Sequence, residues 1–189
     1  MESSIVANSQ ARPAEKPVWY ALRVTYNRSM LVKNDFDSRG LESFLPMQYR
    51  EMRHKDRLVR KLVPAISNLI FLHITTSEMR QLKADTQLPI RYIMDRETRK
   101  PIQVPDRQME LFIAVAGTYD EQIVYLGSDL SSLRKGQRVR VLGGVFEGTE
   151  GYVARIKGDR RVVVEIKGVT AVATTFIHPS LLQILPDEK

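Results

Sequence analysis

The residue types best suited to chemistry fall in the stretch RVRVLGGVFEGTEGYVARI, residues 138–156, where four glycines lie between positions 143 and 151. A phosphate-binding loop carries the pattern G-x-x-x-x-G-K-[ST] and leads into the N-terminus of a helix. That pattern is missing here, and the residues that follow alternate as in a strand. The stretch therefore predicts a glycine turn between two strands and not a nucleotide site.

Few other side chains suit catalysis or metal binding. The chain has 189 residues, no cysteine and three histidines, His54, His73 and His178, which are far apart in sequence. Without cysteine there are no disulfides, thiolate metal sites or cysteine nucleophiles. No Ser/His/Asp arrangement is evident, although the members of a triad can be dispersed along a chain. We expect no catalytic residues, no metal and no cofactor, and an enzyme is the least favoured class.

Composition and charge indicate a globular protein with a polyanionic partner. Hydrophobic residues make up 43% of the chain, and the formal net charge is +7. A basic protein of this size often binds nucleic acid. No apolar run approaches the roughly 20 residues of a membrane span, and the first residues lack the pattern of a secretory signal. We expect a soluble cytoplasmic protein without membrane contact.

The positive charge is concentrated in two segments. Residues 50–61 hold six basic and two acidic side chains, and residues 134–161 hold eight basic and three acidic ones. Such a segment either binds the phosphates of a nucleic acid or forms a solvated face. Both interpretations remain open from charge alone.

The N-terminal half begins with a strand and a short helix. Residues 18–26 alternate so that Tyr26 continues one face of a strand whose two faces are both partly apolar. Val32 and Phe36 stand four residues apart, and Gly40 can supply a left-handed stop, which predicts an amphipathic helix. A further strand is predicted after this helix, in LESFLPMQYREM.

Two more helices and a central strand follow. The apolar run at residues 69–74 is too short for a helix and favours a strand buried on both faces. Thr75 and Glu78 have the spacing of a capping box, which predicts a helix start. Pro105 and Gly117 delimit a third helix. This order predicts an α+β sandwich of ferredoxin-like type, with a basic hairpin or loop between the second and third strands.

The composition changes after residue 117. Residues 118–133 lose clear periodicity and are predicted to be a linker. Five short apolar runs separated by glycine turns follow, without a helical pattern, and they predict a small five-stranded β-barrel. The predicted organisation is a disordered leader, an α+β domain, a linker and a barrel, at residues 1–16, 17–117, 118–133 and 134–189.

The glycine stretch has a spacing that resembles the KOW motif. Glycines permit the positive-φ turn, Phe146 would fill the barrel, and the valines would face one core. The sequence after the motif resembles the C-terminal KOW barrels of NusG-type transcription factors, which implies an SH3-like barrel. KOW motifs also occur in ribosomal proteins. The matching positions are Val139, Val141, Gly144, Phe146, Gly148, Gly151 and Val153.

The N-terminal half resembles the NusG N-terminal (NGN) domain. The similarity lies in VWYALRV, then FLP, then the basic segment and KLVPAISNLIFL, and with the barrel it covers residues 17 to about 185. Family members open the strand after the basic segment with a Phe-Pro-Gly/Asn-Tyr type of motif. Here the matching residues are Ile66, Ser67, Asn68 and Leu69, of which Asn68 tolerates left-handed geometry. Because these residues differ from the family motif, the chain resembles a specialised NusG paralogue of the RfaH or UpxY type.

The resemblance implies a transcription elongation and antitermination factor. Its NGN domain would bind the clamp helices of the largest RNA polymerase subunit and suppress pausing or termination. The alternative to polymerase contact for Ile66, Leu69 and Phe71 is that these apolar residues belong to the core. The residues implied to bind polymerase are Trp19, Arg23, Ile66, Leu69 and Phe71, with Arg80 and Gln81 towards the second large subunit.

The resemblance also implies contact with upstream DNA or the non-template strand through the basic segment. Its cations would bind phosphates, and Tyr49 would stack on a base. The candidates are Tyr49, Arg50, Arg53, Lys55, Arg57, Arg60 and Lys61. The KOW barrel would recruit nascent RNA, a ribosomal protein or a termination factor, and a monomer is expected. The alternative function is a ribosome- or RNA-associated KOW protein without polymerase contact.

Overall fold

The computed structural model describes residues 15–55, 57–128, 130 and 133–186. Most of the predicted leader lies outside the described residues. Glu15, the second-last residue of the predicted leader, accepts hydrogen bonds from the backbone N–H groups of Thr76 and Ser77, at 3.1 and 3.0 Å. Hydrogen bonds from the Ser77 and Thr76 side chains, and then these backbone bonds, lower the pKa of the Glu15 carboxyl, because they stabilise its charged form.

The N-terminal half forms a mixed sheet-and-helix layer structure, and the predicted α+β class is confirmed. The sheet has five antiparallel strands in the order β2-β5-β1-β6, with β7 also paired to β1. The elements of the N-terminal half are β1 (Val18–Val24), α1 (Ser29–Ser38), β2 (Ser43–Phe44), β3 (Met47–His54), β4 (Arg57–Pro64), β5 (Leu69–Ile74), α2 (Thr76–Asp85), β6 (Ile90–Tyr92), β7 (Gln103–Val104) and α3 (Asp106–Ala116).

Alternation along β1 and β5 places apolar side chains on both faces of this sheet. On one face, Tyr20 and Leu22 share a core with Phe36 of α1 and Met79 of α2. On the other face, Trp19 of β1 and Phe71 of β5 share a core with α3. The Phe112 ring of α3 lies 5.7 Å from the ring of Phe71. The sheet is therefore covered on both sides, as the apolar run of β5 predicts.

Local signals placed the helices correctly. The Thr75 hydroxyl accepts from the Glu78 N–H at 3.2 Å, and the Glu78 carboxylate accepts from the Thr75 N–H at 3.1 Å, which completes the capping box of α2. Gly40 follows α1 with φ of +68°. The predicted extension of β1 to Tyr26 is wrong, because Tyr26 and Asn27 adopt left-handed φ values of 60° and 55° and the Tyr26 side chain is exposed.

The predicted basic hairpin is present as a two-stranded ribbon. β3 and β4 pair with each other over their full length, from Met47 opposite Pro64 to His54 opposite Arg57. The single strand predicted in LESFLPMQYREM is divided into β2, which joins the sheet, and β3, which joins the ribbon. Leu45 and Pro46 separate the two strands, and proline cannot donate a ladder hydrogen bond.

The C-terminal half is a six-stranded antiparallel sheet with the order β13-β9-β10-β11-β12-β8. All five predicted strands are present, and the segment predicted as a linker adds β8, which pairs with β12. Three residues are too few to show a period of two. The elements are β8 (Val124–Leu126), β9 (Arg138–Val141), β10 (Glu150–Ile156), β11 (Asp159–Ile166), β12 (Thr170–Phe176), a 3-10 helix (Pro179–Leu181) and β13 (Leu182–Ile184).

The two sheets share one apolar core. Helix α3 contacts β1 on one side and β11 and β12 on the other. Trp19 and Phe71 of the N-terminal sheet belong to the same buried cluster as Val162, Val164 and Val172 of the C-terminal sheet. The C-terminal sheet therefore packs on α3. The proposed limits of the two domains stay predictions.

Candidate functional site

The apolar residues predicted to bind polymerase are buried. Trp19 is 7% exposed, Leu69 is 4% exposed and Phe71 is fully buried. The Trp19 ring stacks on His73 at 4.8 Å, and Phe71 packs against Phe112 of α3. In this conformation these three side chains do not form an exposed patch, and the interpretation as core residues describes their present environment.

Two other candidates lie at the end of the sheet beside Leu69. Ile66 is partly buried against the shared core, and Asn68 has the left-handed φ of 63° that its residue type favours. Arg23 is exposed and is paired across the strands with Leu69 on one side and Arg91 on the other. Ile66 and Arg23 are thus the accessible members on this side of the sheet.

The remaining polymerase candidates lie elsewhere. Arg80 and Gln81 are exposed on α2, the helix whose Met79 and Leu82 pack on the sheet face opposite α3. The structure therefore does not bring Arg80 and Gln81 together with Trp19 in one surface. Their assignment to polymerase contact stays a prediction.

The ribbon divides the predicted nucleic-acid residues between two faces, because paired residues share a face and neighbours along a strand alternate. One face carries Arg50 opposite Lys61, then Met52 opposite Val59, then Arg57 near the turn. This face has three cations and, among its described positions, no acidic residue. Met52 is 48% exposed. We call it the basic ribbon face.

The other ribbon face is engaged with the rest of the chain. The Arg60 guanidinium lies 4.2 Å from the centre of the Tyr49 ring and forms an ion pair with Glu121. One face of the Tyr49 ring therefore contacts an arginine, while the side chain stays 39% exposed, and its stacking on a base stays a prediction. Arg53 lies on this face opposite Leu58, which is 73% exposed. Lys55, in the turn, has a left-handed φ of 46°.

The glycine stretch forms the turn that its spacing predicts. Gly144 and Gly148 have φ of +82° and +79°, values that side chains disfavour. Gly151 serves differently, because a Cβ there would lie 2.3 Å from the carbonyl oxygen of Val163 on β11. Phe146 is buried at 6% exposure in the shared core. Val139 and Val141 are buried in that core, and Val153 packs against it.

An acidic centre that the sequence did not reveal links α3 to the C-terminal sheet. The Glu150 carboxylate accepts hydrogen bonds from Arg140 at 2.7 and 3.0 Å, and from Arg107 and Arg138 at 3.3 Å each. The Arg140 hydrogen bonds and charge, followed by those of Arg107, hold the Glu150 pKa below its usual value. Arg107 belongs to α3, so this contact ties the two sheets together. No short sequence pattern joins positions 43 residues apart.

Two negative findings apply to the described residues. None of their helices is long and apolar enough to cross a membrane. They contain no cluster of three or more histidine, aspartate or glutamate side chains arranged to hold a metal ion.

The described residues form a helix-covered antiparallel sheet with a basic ribbon, joined to a second antiparallel sheet that contains the KOW-like stretch. The chain matches the family NusG, "Transcription termination factor nusG", over residues 17–113, more than half of its length. The chain belongs to the NusG family, whose members are non-enzymatic transcription factors.

A solved structure described as "Domain interaction in Thermotoga maritima NusG" is similar in fold. It is 17% identical in sequence, and the match covers 90% of this chain and 98% of the solved one, with a TM-score of 0.46. No curated protein matches the chain.

Proposed function

We propose that this protein is a transcription elongation and antitermination factor that binds RNA polymerase through its N-terminal sheet and recruits a further factor through its C-terminal sheet. The observation that carries this proposal is the family match over residues 17–113, which includes β1, β5, α1, α2 and most of α3. A cytoplasmic location and a specialised role among NusG paralogues accompany it.

Polymerase docking on the α3 side of the sheet begins, in this proposal, with Ile66 and Arg23. These residues are accessible, whereas Leu69 and Phe71 are covered. Leu69 and Phe71 stay under α3, and the outer face of α3 joins the interface when the C-terminal sheet moves away from it. A partner that binds only such an open form shifts the population towards it by its difference in affinity for the two forms.

The basic ribbon face is the proposed site of contact with upstream or non-template DNA. Arg50, Arg57 and Lys61 stand without an acid among the described residues of that face. A two-stranded ribbon is also narrow enough to enter a major groove about 12 Å wide. Contacts of lysine and arginine with phosphate supply affinity without sequence choice.

The C-terminal sheet offers exposed apolar side chains for a recruited protein. Leu142, Val145 and Leu181 are 51%, 74% and 39% exposed. Leu142 and Leu181 are adjacent, since the Leu142 N–H donates to the Leu181 carbonyl oxygen at 2.8 Å. Apolar groups beside a basic surface suit a ribosomal protein, a termination factor or nascent RNA as the recruited partner.

The test is binding of the full chain to a reconstituted RNA polymerase elongation complex. Ile66→Asp should weaken binding about tenfold or more, because it buries a charge in an apolar interface. Leu69→Asp is unsuitable, because Leu69 is only 4% exposed and the change would unfold the sheet. Val145→Asp, the same chemical change at a 74% exposed position of the other half, is the matched control.

Circular dichroism of each variant separates unfolding from loss of contact. Binding by the wild type and by Val145→Asp, with loss in folded Ile66→Asp, supports the proposed docking face. If the folded wild type does not bind the complex, the polymerase function is wrong. Equal binding by all three proteins would retain the function and place docking elsewhere.

A further inference from the structure

A basic cleft lies where the turn between β11 and β12 meets the N-terminal sheet. Its volume is about 630 Å³, and it is open to solvent on one side. The Cβ position of Gly168, in that turn, lies 3.3 Å from Ile102 Cδ1 of the N-terminal half, so the two halves are in contact at the rim. The charged side chains at the rim are Arg23, Arg91, Arg96, Lys167, Asp95 and Glu97.

Two of these arginines are placed in an unfavourable arrangement. Arg23 on β1 and Arg91 on β6 are directly opposite each other in the antiparallel ladder, and both are exposed. Like charges at such positions repel and destabilise a sheet. Within the described part of the chain, neither has a hydrogen bond or an ion pair with a carboxylate. An anion between them would remove the repulsion and accept hydrogen bonds from both guanidinium groups.

One of the two acidic residues that line the cleft, Asp95, already accepts hydrogen bonds within its own turn. Asp95 Oδ1 accepts from the Thr98 N–H at 2.7 Å, the Thr98 hydroxyl at 2.9 Å and the Glu97 N–H at 3.0 Å. The hydrogen bonds from Thr98 contribute most to lowering the Asp95 pKa, and the charge of Lys167 contributes least. Asp95 therefore stabilises its own turn and interacts with the charge of Lys167. It does not form an ion pair with Arg23 or Arg91.

The cleft and the ribbon are at the same end of the N-terminal sheet. The ribbon ends at Pro64, and only residues 65–68 separate it from Leu69, the register partner of Arg23. The Val24 N–H donates to the Asn68 carbonyl oxygen at 2.9 Å, which holds this connection against β1. A chain of phosphates bound along the ribbon would thus pass next to Arg23 and Arg91.

We propose that this cleft binds the sugar–phosphate backbone of a single-stranded nucleic acid through the four cations that line it, Arg23, Arg91, Arg96 and Lys167. It extends the nucleic-acid contact proposed for the ribbon and so rests on that part of the proposed function. Nucleic acid is favoured over an acidic protein because repeated phosphates can follow cations from the ribbon into the cleft. Ser128 offers a hydroxyl at the rim.

The experiment measures fluorescence anisotropy of a labelled single-stranded DNA 20-mer of mixed sequence with the full chain at several salt concentrations. Arg91→Glu and Lys167→Glu should each weaken binding about tenfold, and removing one phosphate contact should reduce the salt slope by about 0.7. Lys16→Glu makes the same charge change at the opposite end of β1, two residues before Val18, and should alter affinity less than twofold by comparison.

Ribbon variants separate the cleft from the proposed function. Arg50→Glu with Lys61→Glu tests the ribbon alone. If the cleft variants and the ribbon variant all lose DNA affinity and Lys16→Glu does not, one DNA strand contacts both the ribbon and the cleft, as proposed. Loss in the ribbon variant alone overturns the cleft and leaves the ribbon contact standing, while loss in the cleft variants alone supports the cleft and removes the ribbon. If the cleft variants weaken binding to the elongation complex but not to DNA, the cleft binds protein and the inference is wrong.

Discussion

At the scale of single residues, the glycines of the KOW-like stretch have different physical tasks. Gly144 and Gly148 supply left-handed turns, whereas Gly151 permits close approach of two strands. Glu150, next to Gly151, gathers three arginines from two parts of the fold. These tasks lead to two predictions about stability.

Gly151→Ala should destabilise the protein, because the new Cβ would lie 2.3 Å from the Val163 carbonyl oxygen. We expect a loss of about 2–3 kcal/mol, typical of overpacking, and a fall in melting temperature of about 4–10 °C. Gly143→Ala is the control, since its Cβ meets only Leu181 Cδ2 at an ordinary 3.8 Å. Equal shifts in differential scanning fluorimetry would show that the close approach is not limiting.

Glu150→Gln should flatten the acid limb of stability. The folded pKa of Glu150 is lowered from 4.5 by its arginines, so the stabilisation is fully present above pH 4.5 and is lost as the pH falls through the folded pKa. Urea unfolding from pH 7 to pH 3 measures this loss. At pH 7 the variant should be less stable by about 1–2 kcal/mol, since hydrogen bonds to a charged group are removed.

Glu147→Gln is the control for that titration, because Glu147 is an exposed residue nearby on the same turn. Its curve should run parallel to that of the wild type. An unchanged acid limb in Glu150→Gln would mean that the arginine cluster contributes nothing to folding.

At the scale of elements, the ribbon is a separable part of the fold. It pairs only within itself, and its described side-chain ties to the rest include the exposed ion pair of Arg60 with Glu121. Local signals were sufficient for the helices, because caps and glycine stops act within a few residues. They were insufficient for β8, whose three residues become a strand only because β12 offers a free edge.

Replacing residues 49–62 with Asn-Gly should remove nucleic-acid binding and leave the fold intact. Gln48 and Val63 are register partners, so a two-residue turn can join them. Stability should change by less than about 1 kcal/mol, the usual value of an exposed ion pair. Single-stranded DNA affinity, measured by anisotropy, should fall about tenfold or more through lost phosphate contacts.

Arg50→Gln with Lys61→Gln in the intact ribbon serves as the comparison. It should reproduce most of the affinity loss if charge is the cause. Full DNA affinity in the shortened protein would exclude the ribbon as a nucleic-acid site.

At the scale of the whole molecule, α3 joins the two halves. It presents Phe112 to the N-terminal sheet and lies with Leu111 beside Tyr152 and Val163 of the C-terminal sheet. The polymerase surface proposed on the α3 side would therefore compete with the C-terminal sheet for α3. The strength of that packing should set how readily the factor binds.

Arg107→Ala should increase polymerase binding in this scheme. It removes the one α3 arginine bound to Glu150, while Arg138 and Arg140 remain. The Arg107 side chain is 61% exposed, so its ion pair is worth about 1 kcal/mol at most, and affinity for the elongation complex should rise about two- to fivefold.

Lys33→Ala removes an exposed ion pair with Asp37 on α1 and should leave that affinity unchanged. Equal or weaker binding by Arg107→Ala in the same assay would show that α3 packing does not oppose docking.

The amino-acid sequence by itself determined the helices, the central strand, the five longer or terminal strands of the C-terminal half, the capping box, the glycine turn and the family. These depend on contacts among neighbours or on spacing along one chain. The tertiary structure alone decided that Leu69 and Phe71 are buried, that Glu150 meets Arg107, and that Arg23 faces Arg91. Such pairings join distant segments through packing and strand register, and no local pattern encodes which exposed charge will meet which.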